Sequence, residues 1–153
     1  MTAAARYGAV YALLRAAADL GDHWVQTHGQ ACRKAAPGRA GHAALAGHVV
    51  TYVATQGAAL ALGNRLLGLG LRPGRVAAAL ALSGATHYVI DRRWPLERLS
   101  AAIGKQGFYD LGADTLHTAD GVTGAHLGRG SYAMDQAAHH AVEAVAALIA
   151  ARS

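Results

Sequence analysis

The sequence predicts an all-α protein, a helical bundle of four main helices with a long glycine-rich loop before the last one. Three observations carry that prediction. Hydrophobic residues make up 53% of the 153 positions and charged residues only 15%, which argues against a disordered chain. Alanine and leucine dominate while aromatics are only 6%, a composition that loses little side-chain freedom in helices. No segment shows the strict alternation of a half-buried strand. The length suits one domain, so residues 1–153 are expected to form a single helical domain.

The first helix is expected over residues 3–34. It ends at "RKAAPGRAG", where basic residues suit a helix C-terminus and Pro37-Gly38 stops it. The N-terminal stretch could pass for a weak signal peptide, but its periodicity continues into the next segment and it reads as part of this helix. Residues 40–69 form the second expected helix, ending at "LGLGLRPG". Pro73 stands where a helix can begin, and 74–92 make the third. Pro95 interrupts, and a short helix is expected over 96–103. Residues 104–131 have a glycine every few positions with Asp, Thr and His between them, and no period survives. A loop this long in a small domain is usually functional, and it is read as a lid. The last helix is expected from Tyr132 to Ala151.

Cys32 is the only cysteine, so no intrachain disulfide can form, and a cytoplasmic location is expected. The longest stretch without Asp, Glu, Lys or Arg runs from Ala40 to Asn64. It is long enough to cross a bilayer, which takes roughly 20 residues. It also contains His42, His48, Thr51, Thr55 and Gln56, so a soluble chain ranks above a membrane-associated one. The net charge of +5 attracts polyanions, although the arginines are scattered along the chain.

The chemistry lies in polar pairs one helical turn apart inside apolar segments. "THYVIDRRWP" places His87 four residues before Asp91, and "MDQAAHH" places Asp135 four residues before His139. Asp22 and Gln26 form such a pair in the first helix, with Asp19 and His23 competing; His139 and Glu143 extend the stripe in the last. His48 stands among apolar neighbours in the second. Residues four apart share a helix face, and burying a carboxylate or imidazole without a partner is costly. Several such groups satisfy one another best around a shared cation. Asp22 lies about a dozen residues before the end of the first helix and His48 about eight into the second, roughly 18 and 12 Å from the turn. An antiparallel hairpin would make them neighbours. The ligand set is therefore Asp22, His48, His87, Asp91, Asp135 and His139. His117 and His126 in the loop, and His28, His42 and His140, have weaker claims. No HExxH, CxxC, GxSxG or Walker A motif is present.

The series "DHWVQT" (Asp22, Gln26, Thr27), His48, "HYVID" (His87, Asp91) and "MDQAAH" (Asp135, Gln136, His139) resembles the DUF3307 family of bacterial and phage proteins, whose function is unknown. The likeness covers nearly the whole chain in order and spacing. "GFYDLGADT…LGRGSYAMDQ" looks like the actinobacterial branch. Many members of that family look membrane-embedded, and some are labelled transcriptional regulators. The His-x3-Asp and His-x3-Glu pairs are also similar to the ligand pattern of helical zinc-dependent phospholipases C and nucleases.

The reading that follows is a metal-dependent hydrolase, with a phosphoester as substrate. One or two divalent ions are expected, zinc first, with manganese or iron as alternatives. Asp22, Gln26 and Gln136 are the candidate catalytic residues, the two glutamines orienting the ligands. Arg93, Lys105, Tyr109 and Arg129 are the candidate substrate-binding residues. The expected partner is a phosphorylated small molecule or a nucleic acid, and self-association into a homo-oligomer is a further expectation. The alternative functions are a basic nucleic-acid-binding regulator with a structural metal or none, and a small membrane-associated protein.

Overall fold

A computed structural model describes residues 1–112 and 129–152, and every described secondary-structure element is helical. Thr2 caps α1 (Ala3–Leu20), its hydroxyl accepting the Ala5 N–H at 3.2 Å. The helix then loosens into one π-helical turn, Gly21–Val25. Gln26 leaves helical geometry with ψ 127°. Thr27 starts α2 (His28–Arg33) with a capping box: its hydroxyl accepts from Gln30 N, and the Gln30 side chain accepts from Thr27 N at 2.9 Å. The single helix expected over 3–34 is therefore corrected to two helices with a break at Gln26–Thr27.

The long helix α3 (Gly38–Leu67) closes on Gly68, whose φ of 60° is the left-handed conformation that glycine adopts without strain. Pro73 begins α4 (Pro73–Ile90), as the sequence predicts. Arg93 breaks from α4 and caps α5 (Trp94–Ala102). The stretch expected to be wholly loop holds a short helix, α6 (Gln106–Tyr109), and α7 (Gly130–Ala150) begins two residues before the expected start. Most of the expected lid, with His117 and His126, lies outside the described residues.

The four long helices touch in a closed ring: α1 on α3, α3 on α4, α4 on α7 and α7 on α1. At one end the contacts are apolar, with Val10, Leu14, Leu60, Ala79, Ala147 and Ala150 packed together. Toward the other end the buried positions turn polar along three stripes spaced four apart. These are Leu60, Gln56, Tyr52 and His48 on α3; Ala79, Ser83 and His87 on α4, leading to Asp91; and Ala147, Glu143 and His139 on α7. The ring thus has an apolar floor, a polar middle and a carboxylate–imidazole layer above it. Gly21 lets that layer close: a Cβ there would lie 3.0 Å from Tyr52 Cδ2 and 3.3 Å from Tyr52 Cα.

One helix, α3, is long and apolar enough to cross a membrane by length and composition, with 28% of its most apolar 18-residue window buried. It is the one such helix among the described residues.

Candidate metal centre

Four side-chain atoms from three segments crowd one point. Asp22 comes from the π-helical turn, His48 from α3, and His87 and Asp91 from the end of α4. His48 Nε2 lies 2.9 Å from His87 Nε2, 3.1 Å from Asp22 Oδ1 and 3.3 Å from Asp91 Oδ2. His87 Nε2 lies 3.4 Å from Asp22 Oδ1 and 3.1 Å from Asp91 Oδ2. Ligands held at about 2.0–2.1 Å by a central ion stand about 2.9 Å apart at neighbouring octahedral corners and about 3.3 Å apart at tetrahedral ones. The five separations fall across that range.

Hydrogen bonding alone does not account for the packing. Asp22 Oδ1 and His139 Nε2 are buried and make no well-directed hydrogen bond, a costly state for a polar atom, and the cation at Asp91 Oδ2 is the Lys34 ammonium at 2.9 Å. Two imidazole nitrogens face each other, and each is also turned to two carboxylates. A cation at the centre would satisfy all four atoms together.

Asp91 also faces a second group. Its Oδ1 lies 3.7 Å from His139 Nε2, which is in turn 3.7 Å from Asp135 Oδ2. The donor atoms of Asp91, Asp135 and His139 all lie within 4.8 Å of one another, as do those of His48, His87 and Asp91. Asp91 thus stands between two clusters with one carboxylate oxygen toward each. The rings reinforce the arrangement: Tyr52 packs on His87 at 3.8 Å between centroids, and His87 on His139 at 4.3 Å.

Charge follows from these neighbours. Burial opposes ionisation of Asp91, but His139, His48 and His87 outweigh it and hold the carboxyl far below its ordinary range. Asp22 is likewise lowered, burial being overcome by His48, His87 and Lys34. Asp135 is raised because burial dominates there. Burial lowers His87, whereas the carboxylates around His48 and His139 overcome burial and raise both.

No family model, curated protein or solved structure matches this chain. The site's chemistry therefore rests on its own geometry.

All six expected ligands converge. Gln26 sits beside them: with its amide nitrogen donating to the Asp22 carbonyl at 3.2 Å, its oxygen accepts from Lys34 Nζ at 3.1 Å and lies against the His48 ring. Gln136 donates to Asp135 Oδ2 at 3.4 Å. The cluster opens into a cavity of about 450 Å³ whose wall includes Arg93, Tyr109 and Arg129. Lys105 is not on that wall; it is exposed at the start of α6. The other expected pairs go elsewhere. Asp19 pairs with Arg15, and His23 meets the Asp19 carbonyl and Tyr132.

Two features were missed by sequence reasoning. Lys34 lines the cavity and places its Nζ 2.9 Å from Asp91 Oδ2. Its only sequence signal was a basic residue at a helix end, which the helix dipole already explains. The second is a buried chain beneath the cluster. Arg15 donates to both Glu143 oxygens at 3.0 and 3.2 Å, and Tyr52 donates to Glu143 at 3.1 Å. Gln56 donates to Tyr52 at 3.3 Å and accepts from Ser83 at 2.8 Å. Glu143, expected to extend the His139 stripe, thus belongs to this network. The four-residue spacing onward from His48 and back from His87 would have found Tyr52, Gln56 and Ser83.

Proposed function

We propose that the chain is a metal-dependent hydrolase of a phosphoester, built as a four-helix bundle and one helical domain of the DUF3307 kind. The observation that carries this reading is the set of 2.9–3.4 Å separations among Asp22, His48, His87 and Asp91 donor atoms at a point where hydrogen bonding leaves buried atoms unmatched. These four residues would hold one ion, and Asp91, Asp135 and His139 a second, with Asp91 shared. Nitrogen and oxygen donors in this mixture suit zinc first, with manganese or iron as alternatives. A bound divalent ion supplies charge to polarise a phosphoryl oxygen and to acidify a water.

The chain's own side chains supply the rest. Gln26 and Gln136, both on the cavity wall, hold Asp22, His48 and Asp135 in place. Arg93 and Arg129 on the cavity wall are suited to phosphoryl oxygens, and Tyr109 lines the same wall. Lys34 adds a cation beside Asp91.

Elemental analysis by plasma mass spectrometry on the wild type and on a His87→Ala, Asp135→Ala double variant tests the reading. One or two equivalents of metal in the wild type, lost in the variant while helical circular dichroism persists, is the expected result, followed by metal-dependent turnover in a phosphoester screen. A wild type that takes up no metal after reconstitution would overturn it. The net charge of +5 would then favour the nucleic-acid-binding reading, whose mark is a steep loss of affinity with salt.

A further inference from the structure

We infer that the mouth of the metal-site cavity is a docking surface for an anionic lipid bilayer, so that the site works at a membrane surface. The inference rests on which residues the mouth leaves in water. The cavity wall is built by the π-helical turn, α2, the α4–α5 junction, α6 and the start of α7. Three of these, the π-helical turn, the start of α5 and α6, each carry a large apolar side chain beside a wall residue, turned to solvent. Trp24 is 83% exposed between the wall residues His23 and Gln26; Trp94 is 50% exposed between Arg93 and Leu96; Phe108 is 49% exposed beside Tyr109. Leu99 and Ile103, further along the α5 segment, are 55% and 58% exposed. Trp24 and Trp94 are the only tryptophans in the chain, and both are spent on this rim rather than in the core. A tryptophan left in water costs hydrophobic free energy that burial would recover.

Cations accompany these side chains. Lys34, Arg93 and Arg129 stand on the cavity wall, with Asp110 as the wall carboxylate outside the ligand cluster. Arg92 and Arg98 lie on the segment that carries Trp94, against Glu97, and Lys105 precedes α6. Asp19, next to His23, is paired with Arg15. The Arg98 guanidinium lies 4.8 Å over the Trp94 ring. Amphipathic aromatic rings interleaved with Lys and Arg are the composition that settles at the headgroup level of an anionic leaflet. A second copy of the chain would meet this face with the same positive charge, which disfavours it as the occupant. The apolar groove between α3 and α4, lined by Val49, Val53, Ala77 and Leu80, has no comparable cations and shows nothing of what would cover it.

Intrinsic fluorescence tests the inference, because every tryptophan signal comes from the rim. Trp24→Phe and Trp94→Phe each leave one reporter. Full-length protein is mixed with vesicles of phosphatidylcholine alone and of phosphatidylcholine with phosphatidylglycerol, and binding is read by emission and by co-sedimentation. Both reporters are expected to shift to shorter wavelength with the anionic vesicles only. Arg98→Gln is expected to weaken binding about fivefold, one basic residue's share near an anionic surface. Absence of a shift with co-sedimentation at background level would overturn the proposal. So would a shift that appears without vesicles as protein concentration rises, which would assign the face to a second copy. Equal binding to both vesicle types would also overturn it, placing the apolar α3 rather than the basic rim in contact with lipid. Metal content measured on the same samples is independent of all these outcomes, so failure here and failure of the hydrolase reading are told apart.

Discussion

Replacing Arg15 by Met should reveal how the polar middle of the ring is held. The Glu143 side chain is 1% exposed and the Arg15 side chain 23%. Arg15 gives Glu143 a bidentate partner, and Tyr52 adds one hydrogen bond. Burial already raises the Glu143 pKa despite the opposing pull of Arg15 and Tyr52. Removing one partner of a buried ion pair costs about 3–5 kcal/mol. Water reaches Arg15, so the lower end applies, about 3 kcal/mol at neutral pH. For a chain of this length that corresponds to a fall in Tm of about 6–12 °C. The pH dependence is the sharper test. Below the ordinary value of 4.5, Glu143 is protonated in the folded and unfolded chains alike, and only packing is lost. Ionisation of the unfolded chain is common to both proteins and cancels, so the cost grows only at pH values where Glu143 has ionised in the folded wild type, above its own raised pKa, and has not yet ionised in the variant, whose pKa is raised further. Across that window it grows by at most about 1.4 kcal/mol per pH unit, and it levels off once the variant's Glu143 ionises. Urea unfolding of both proteins in chelator, followed by circular dichroism from pH 4 to pH 8, reads the difference directly. Adding Glu143→Gln to the variant should recover most of the loss at pH 8 and little at pH 4. A cost that is flat with pH, or that grows as pH falls, would refute the assignment of Glu143 as a buried carboxylate held by Arg15.

The other expectations are simpler. Asp91→Asn should lower bound metal at both positions, whereas Asp135→Asn should remove one equivalent and leave the ion held by Asp22, His48 and His87; equal losses in titrations followed by elemental analysis would end the shared-carboxylate arrangement. Gly130→Ala should destabilise by about 1–3 kcal/mol, because a Cβ there would stand 1.7 Å from the Phe108 carbonyl oxygen, and an unchanged Tm would contradict that close approach. Thr27→Ala should cost about 1 kcal/mol in urea unfolding through loss of the α2 cap.

The cluster residues were legible because each violates the composition around it. His87, Asp91, Asp135 and His139 are ionisable groups at four-residue spacing inside apolar runs, and that spacing becomes one face only on a helix. Asp22 was legible for a partly mistaken reason. A straight hairpin was expected to bring it beside His48; the chain instead loosens at Gly21 and breaks at Gln26, and the contact is made at 3.1 Å from a π-helical turn. Alanine-rich periodicity masks such a break, since alanine favours helix on both sides of it. The start of α2 was nonetheless written in Thr27 and Gln30, the two halves of a capping box. Lys34 could not be placed without that break, because its approach to Asp91 depends on how α2 folds back against α3.

The position of backbone irregularity bears on function separately from the ligand distances. Arg93 is the one non-glycine residue with positive φ among those described, at φ 64° and ψ −49°, two residues from Asp91. Such a conformation costs of the order of 1–3 kcal/mol for a side chain with a Cβ. The π-helical turn is a second departure, and it carries Asp22; single π turns in helices occur often at functional sites. Both departures flank the carboxylate–imidazole layer, and the apolar floor of Leu14, Leu60 and Ala79 has regular helices around it. A fold selected for stability alone would place Gly at position 93 and keep α1 continuous. The chain instead keeps an arginine there on the cavity wall and bends a helix to deliver a carboxylate to two imidazoles. Arg93→Gly separates the two demands: it should raise or preserve stability while weakening phosphoester binding, and a variant that loses stability and keeps binding would assign Arg93 to structure instead.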